Sequence, residues 1–95
     1  MIGIIRFLNR YLFGIYEPNY EYWVYLKDIK LPYYLRYSRI GEEKYKRKWS
    51  YYRKTGEFES KIILDKDFNL LDGYSSWKIA KKIGLEKVPV YFKNK

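Results

Sequence analysis

The sequence predicts an α+β domain, a small mixed sheet with packed helices in the order α-β-α-β-β-α-β. Three observations predict it. Three segments set apolar or aromatic residues at helical spacing and end in glycine, and between them lie short β-branched and aromatic runs bounded by turn residues. Ninety-five residues suit a single hydrophobic core. Thirteen tyrosines, five phenylalanines and three tryptophans are far too many for a chain that stays unfolded.

The elements follow in order. Ile4, Ile5, Leu8, Tyr11 and Leu12 share one side of a helix over residues 1–16, with Arg6 and Arg10 opposite and Gly14 at its end. Such a basic amphipathic helix docks on its own domain or lies on an anionic membrane. Tyr22 to Leu26 is aromatic and β-branched, so it predicts a strand. Pro32 then biases Leu31 towards an extended conformation and opens a loop carrying Arg36 and Arg39. A helix over Glu42 to Lys54 is expected to pack Tyr45, Trp49 and Tyr52, which form one stripe. Its acids lie in the first turn and its bases in the last, as the helix dipole favours, and Gly56 ends it.

Lys61 to Asp65 predicts an apolar strand, Lys66 to Asn69 a hairpin turn, and Leu70-Leu71 the returning strand. The Asp65 turn opens like a calcium loop, yet Leu70 and Ser76 stand where that loop needs glycine and glutamate. A helix from Tyr74 to Ile83 should pack Trp77, Ile79, Ala80 and Ile83, with Gly84 closing it. Val88 to Phe92 predicts the last strand, where Pro89 belongs at an edge or at the strand's start.

Composition narrows the chemistry. There is no cysteine and no histidine, which excludes disulfides, Cys/His zinc sites, thiol nucleophiles and imidazole bases. Twenty Lys and Arg against eleven Asp and Glu leave a net charge of +9, which favours an anionic partner. No apolar run reaches the length of a membrane span, and the chain reads as cytoplasmic.

The stretch from Ile62 to Phe92 resembles the ParB/sulfiredoxin-like superfamily. The matching residues are Leu71-Asp72-Gly73, Trp77, Ala80, Gly84 and Val88-Pro89-Val90, and the likeness extends over residues 22–92. The resemblance implies a phosphate-binding turn at Gly73, Tyr74, Ser75 and Ser76, the place where relatives hold CTP or ATP. Helix N-termini suit anions in any fold, because unpaired N–H groups and the dipole meet there. Here the turn is degenerate: Ser76 replaces the family's arginine, and Tyr74 replaces the cysteine that sulfiredoxin chemistry needs.

The expected function is a small, basic, non-enzymatic binding domain for nucleic acid, DNA included, or for an acidic nucleic-acid-handling protein. By resemblance, a phage- or plasmid-encoded regulator or inhibitor fits. The expected contact residues are Arg36, Arg39, Lys44, Arg47, Lys48, Lys54, Lys78, Lys81 and Lys82. No metal or cofactor is expected. The alternative is a CTP- or ATP-dependent phosphotransferase or nuclease with magnesium, using Asp72, Ser75 and Ser76, with Asp65 and Asp67 as further metal candidates. Tyr33, Tyr34, Tyr37, Tyr51 and Tyr74, near basic residues, are candidates for stacking on bases.

Overall fold

The structure, a computed structural model, describes residue 16, residues 19–35 and residues 39–93. The helix expected over residues 1–16, together with Arg36 and Tyr37, lies outside the described residues, apart from Tyr16.

Tyr22–Tyr25 forms β1, Glu42–Thr55 α1, Ile62–Leu64 β2, Leu70–Asp72 β3, Tyr74–Ile83 α2 and Lys87–Phe92 β4. Two short 3-10 turns, Leu26–Asp28 and Tyr33–Leu35, shape the stretch expected to be loop. The sheet runs β1-β4-β2-β3, with β4 antiparallel to β1 but parallel to β2, and β2 antiparallel to β3. The mixed sheet with packed helices is the expected α+β architecture.

Period-two alternation decides which face is inside. Tyr22, Val24, Ile62, Leu64, Val88, Val90 and Phe92 point into the core, where Ile79 and Ala80 of α2 are also buried. Tyr16 lies flat on Phe92 with ring centroids 3.6 Å apart, closing that end of the core. Lys30 bridges Asn69, the residue just before β3, so residues 26–30 carry the chain from the β1 edge across the sheet's end to the opposite edge.

Pro89 sits inside the second strand of the sheet, not at an edge strand. The physical reason is local. β2 pairs with β4 only from Val90 onward, so Pro89 has a strand neighbour on the β1 side alone, opposite Trp23. Its missing N–H falls where a ladder is one-sided.

The hairpin turn is built on one carboxylate. Asp65 Oδ1 accepts the backbone N–H groups of Asp67 and Asn69, each at 2.9 Å, and Oδ2 accepts Asn69 Nδ2 at 3.0 Å. These bonds hold Phe68 at a φ of +68°, which a bulky residue rarely adopts. Partial burial pushes the Asp65 carboxyl up, but the Asn69 side chain, the two N–H groups and the Lys30 charge together hold it below its ordinary 3.8. A depressed carboxyl adds stability above its unfolded value and loses it as pH falls through the folded one. Asp65→Ala should therefore cost about 1 kcal/mol at pH 7. Thermal melts of the variant and its parent should converge as pH drops below 3.8.

Candidate nucleic-acid interface

Helix α2 divides its sides by residue size and chemistry. Ser75, Ser76, Ile79 and Ala80 are its buried residues, whereas Trp77 is only half-buried and Ile83 is exposed. The expected packing stripe of Trp77, Ile79, Ala80 and Ile83 is thus shifted toward the serines. Small side chains let the helix approach the segment leading into β2, and Ser76 Oγ donates to the Ser60 carbonyl at 2.6 Å.

The chain leading into β2 packs closely against the Gly73 bend. Gly73 is buried at a φ of +90°, and a Cβ there would lie 2.4 Å from the Lys61 carbonyl oxygen and 2.7 Å from Ile62 Cα. The glycine permits close approach, as expected, but the group that approaches is the chain leading into β2. Asp72 Oδ1 accepts the Gly73 N–H at 2.8 Å. Among the described residues no group of three or more acidic side chains is placed to hold a metal, so Asp65, Asp67 and Asp72 do not assemble one.

One cluster of the expected contact residues does assemble. Tyr74, Lys78 and Lys82 follow one another at i, i+4 and i+8 along α2, with Trp77 and Lys81 beside them. Facing them are Tyr45 of α1 and the Arg39-Ile40 segment, and the space between is a cleft of about 880 Å³. Arg39, Lys78, Lys81 and Lys82 line it, against the single carboxylate of Glu42. Each lysine lies over a ring: Lys78 over Tyr74 at 5.5 Å, Lys81 over Trp77 at 5.0 Å, and Lys82 over Tyr45 at 5.7 Å. Tyr74 and Trp77 are themselves stacked, with centroids 6.0 Å apart. Like charges crowded along one apolar wall raise the positive potential more than the same charges spread over a surface.

The remaining expected contacts lie elsewhere. Lys48 requires correction: it is buried, and its ammonium donates to Ser60 Oγ. Its long apolar stem fills space between the helix and the chain, and Ser60 satisfies the charged end. Ser60 therefore ties both helices, taking Lys48 at its hydroxyl and Ser76 at its carbonyl. Arg47 pairs with Glu59 at 3.3 Å. Lys44 and Lys54 are exposed but do not line the cleft. The aromatic stripe of α1 is only half-buried; Trp49 and Tyr52 are stacked in parallel, and Tyr52 continues onto Phe58. Tyr33 and Tyr34 are exposed, as expected near the loop, and so is Tyr51, whereas Tyr74 is half-buried in the cleft wall. The contribution of Tyr45 and Trp77 to the cleft was missed, because their helical spacing pointed to the core.

No protein-family model matches the sequence, and no curated protein matches it either. Solved structures do. A pNOB8-like ParB N domain superposes with a TM-score of 0.67 at 20% identity, covering 80% of this chain and 30% of that one. C-terminally truncated chromosome-partitioning protein ParB from Caulobacter crescentus, complexed with CTP-γ-S, gives 0.61 at 14% identity, over 81% of this chain and 46% of that one. A free serine kinase in complex with AMP gives 0.62 at 16% identity, over 81% and 32%. The chain thus spans less than half of each of these proteins. Among the described residues no helix is long and apolar enough to cross a membrane. With its mixed four-stranded sheet, its buried glycine bend and the helix that follows, this chain has the fold of the ParB N domains.

Proposed function

We propose that this chain is a non-enzymatic binding domain whose cleft between α1 and α2 receives the phosphates of nucleic acid. The observation that carries the reading is the convergence of Arg39, Lys78, Lys81 and Lys82 on one aromatic-walled cleft. Ammonium groups on flexible stems neutralise phosphates without fixing a sequence, so they supply affinity and orientation. The rings beneath them exclude water from one side and strengthen each contact. A chromosome-partitioning protein among the structural neighbours supports a nucleic-acid partner. An acidic face of a nucleic-acid-handling protein would offer the cleft the same chemistry.

Fluorescence anisotropy with a labelled 20-base-pair duplex tests the reading. Three or four phosphate contacts predict affinity falling by roughly 40- to 150-fold between 50 and 200 mM salt, from a slope of about −0.9 per contact. An affinity independent of salt would overturn the reading. Millimolar CTP or ATP should weaken binding no more than inorganic triphosphate at the same concentration. Tight binding of CTP or ATP on its own, by a chain whose duplex affinity does not depend on salt, would instead favour the nucleotide-dependent alternative.

A further inference from the structure

The lysine-lined cleft is not the molecule's only surface where rings and ammonium groups meet. We infer that the outer face of the sheet is a stacking platform for unpaired bases, so that the chain also takes single-stranded nucleic acid. The inference shares with the proposed function only the premise of a nucleic-acid partner; its residues lie outside the cleft.

The argument begins with strand alternation. While Tyr22 and Val24 turn inward, Trp23 and Tyr25 turn outward and are 60% and 45% exposed. Burial this incomplete is unusual for a tryptophan in a strand, since leaving a large ring in water forgoes most of its transfer free energy. The register places Trp23 opposite Pro89 and Tyr25 opposite Lys87, so Tyr91, two residues beyond Pro89, is the diagonal neighbour of Trp23. Tyr25, Trp23 and Tyr91 therefore stand in a row. Successive members are about 7 Å apart, whether along a strand or across a diagonal. Such a row meets the bases of an extended strand one at a time.

Charge supports the same occupant. Lys87 lies 4.9 Å and Lys27 5.6 Å from the Tyr25 ring centre, and Lys61 lies 4.7 Å from that of Tyr91. Glu21 and Glu57 are the carboxylates lining the groove that borders this face. An exposed cation–π contact is worth about 0.5–1 kcal/mol, less than the roughly 1–3 kcal/mol of a stacked base. An arriving base can thus displace an ammonium group from a ring, and the displaced lysine is then beside the phosphate that the base brings. A duplex keeps its base faces stacked and offers nothing to these rings. A protein-binding patch is commonly depleted of lysine at its centre, whereas here the rings carry lysines.

The test compares binding of the full chain to labelled 20-nucleotide oligo(dT) and to a 20-base-pair duplex. The double variant Trp23→Ala/Tyr25→Ala should lose about 10- to 100-fold in single-strand affinity and keep its duplex affinity. Trp23→Phe/Tyr25→Phe, which keeps the rings, should retain most of the single-strand affinity. Single-strand affinity unchanged in the alanine variant would overturn the inference. So would a self-association of the parent, seen by sedimentation, that the alanine variant abolishes while oligo(dT) fails to bind. Neutralising Lys78, Lys81 and Lys82 separates the two surfaces. If that change spares duplex and single-strand binding alike while the alanine variant loses single-strand affinity alone, the cleft reading fails and this one stands.

Discussion

Gly73→Ala is expected to lower the melting temperature by more than about 15 °C, following a loss of roughly 3–5 kcal/mol. Two costs add. The backbone at φ +90° disfavours any residue with a Cβ, which alone costs on the order of 1–3 kcal/mol. The new Cβ would also lie 2.4 Å from the Lys61 carbonyl oxygen and 2.7 Å from Ile62 Cα. Both are backbone atoms at the start of an interior strand, so neither can swing aside without disturbing the β2–β4 ladder that begins at Ile62. For a domain whose total stability is about 5–14 kcal/mol, the change removes a large share. Gly84→Ala is the control. Gly84 has a φ of +77° with nothing within 4 Å of an added Cβ, so only the conformational cost of about 1 kcal/mol applies. Equal losses in the two variants, read by thermal melts, would show that β2 does not press on the bend.

The second large effect concerns binding. Replacing Lys78, Lys81 and Lys82 together by Gln should weaken duplex binding at least about tenfold and reduce the magnitude of the salt slope by about 2 to 3. The folded state should change little, because all three side chains are exposed and exposed cation–π contacts contribute about 0.5–1 kcal/mol each. Lys48→Ala should do the reverse. It removes a buried stem and the donor to Ser60 Oγ, so it should lower stability by about 1–2 kcal/mol and leave the salt slope intact. Two lysine changes with opposite signatures distinguish the cleft from a surface that is merely basic.

Much of this fold was legible in the residues because the punctuation is strong. Gly73 and Gly84 bracket α2, Gly56 closes α1, and Val88, Val90 and Phe92 alternate cleanly into the core. The misreadings share a cause, since side-chain polarity does not report how closely two elements approach. Ser76 and Lys48 read as surface groups, yet both lie inside, satisfied by Ser60. Trp77 and Tyr45 have core spacing, yet they wall an open cleft. In β1 the run Tyr-Trp-Val-Tyr puts an aromatic ring on both faces of the strand, so alternation alone leaves its buried side undetermined. Of the contact residues, Arg39, Lys78, Lys81 and Lys82 converge because α2 repeats them at helical spacing and the loop returns Arg39 opposite. No sequence rule foretells that last juxtaposition.

The indole N–H signals of the three tryptophans provide the most direct test, because each reports a different surface. In a ¹H–¹⁵N titration of the chain with a short duplex, Trp77 in the cleft wall should shift progressively and saturate with the binding isotherm. Trp23 on the outer sheet face and Trp49 on α1 should hold still. Saturating duplex that moves Trp23 or Trp49 and leaves Trp77 unmoved would contradict the assignment of phosphate binding to the cleft.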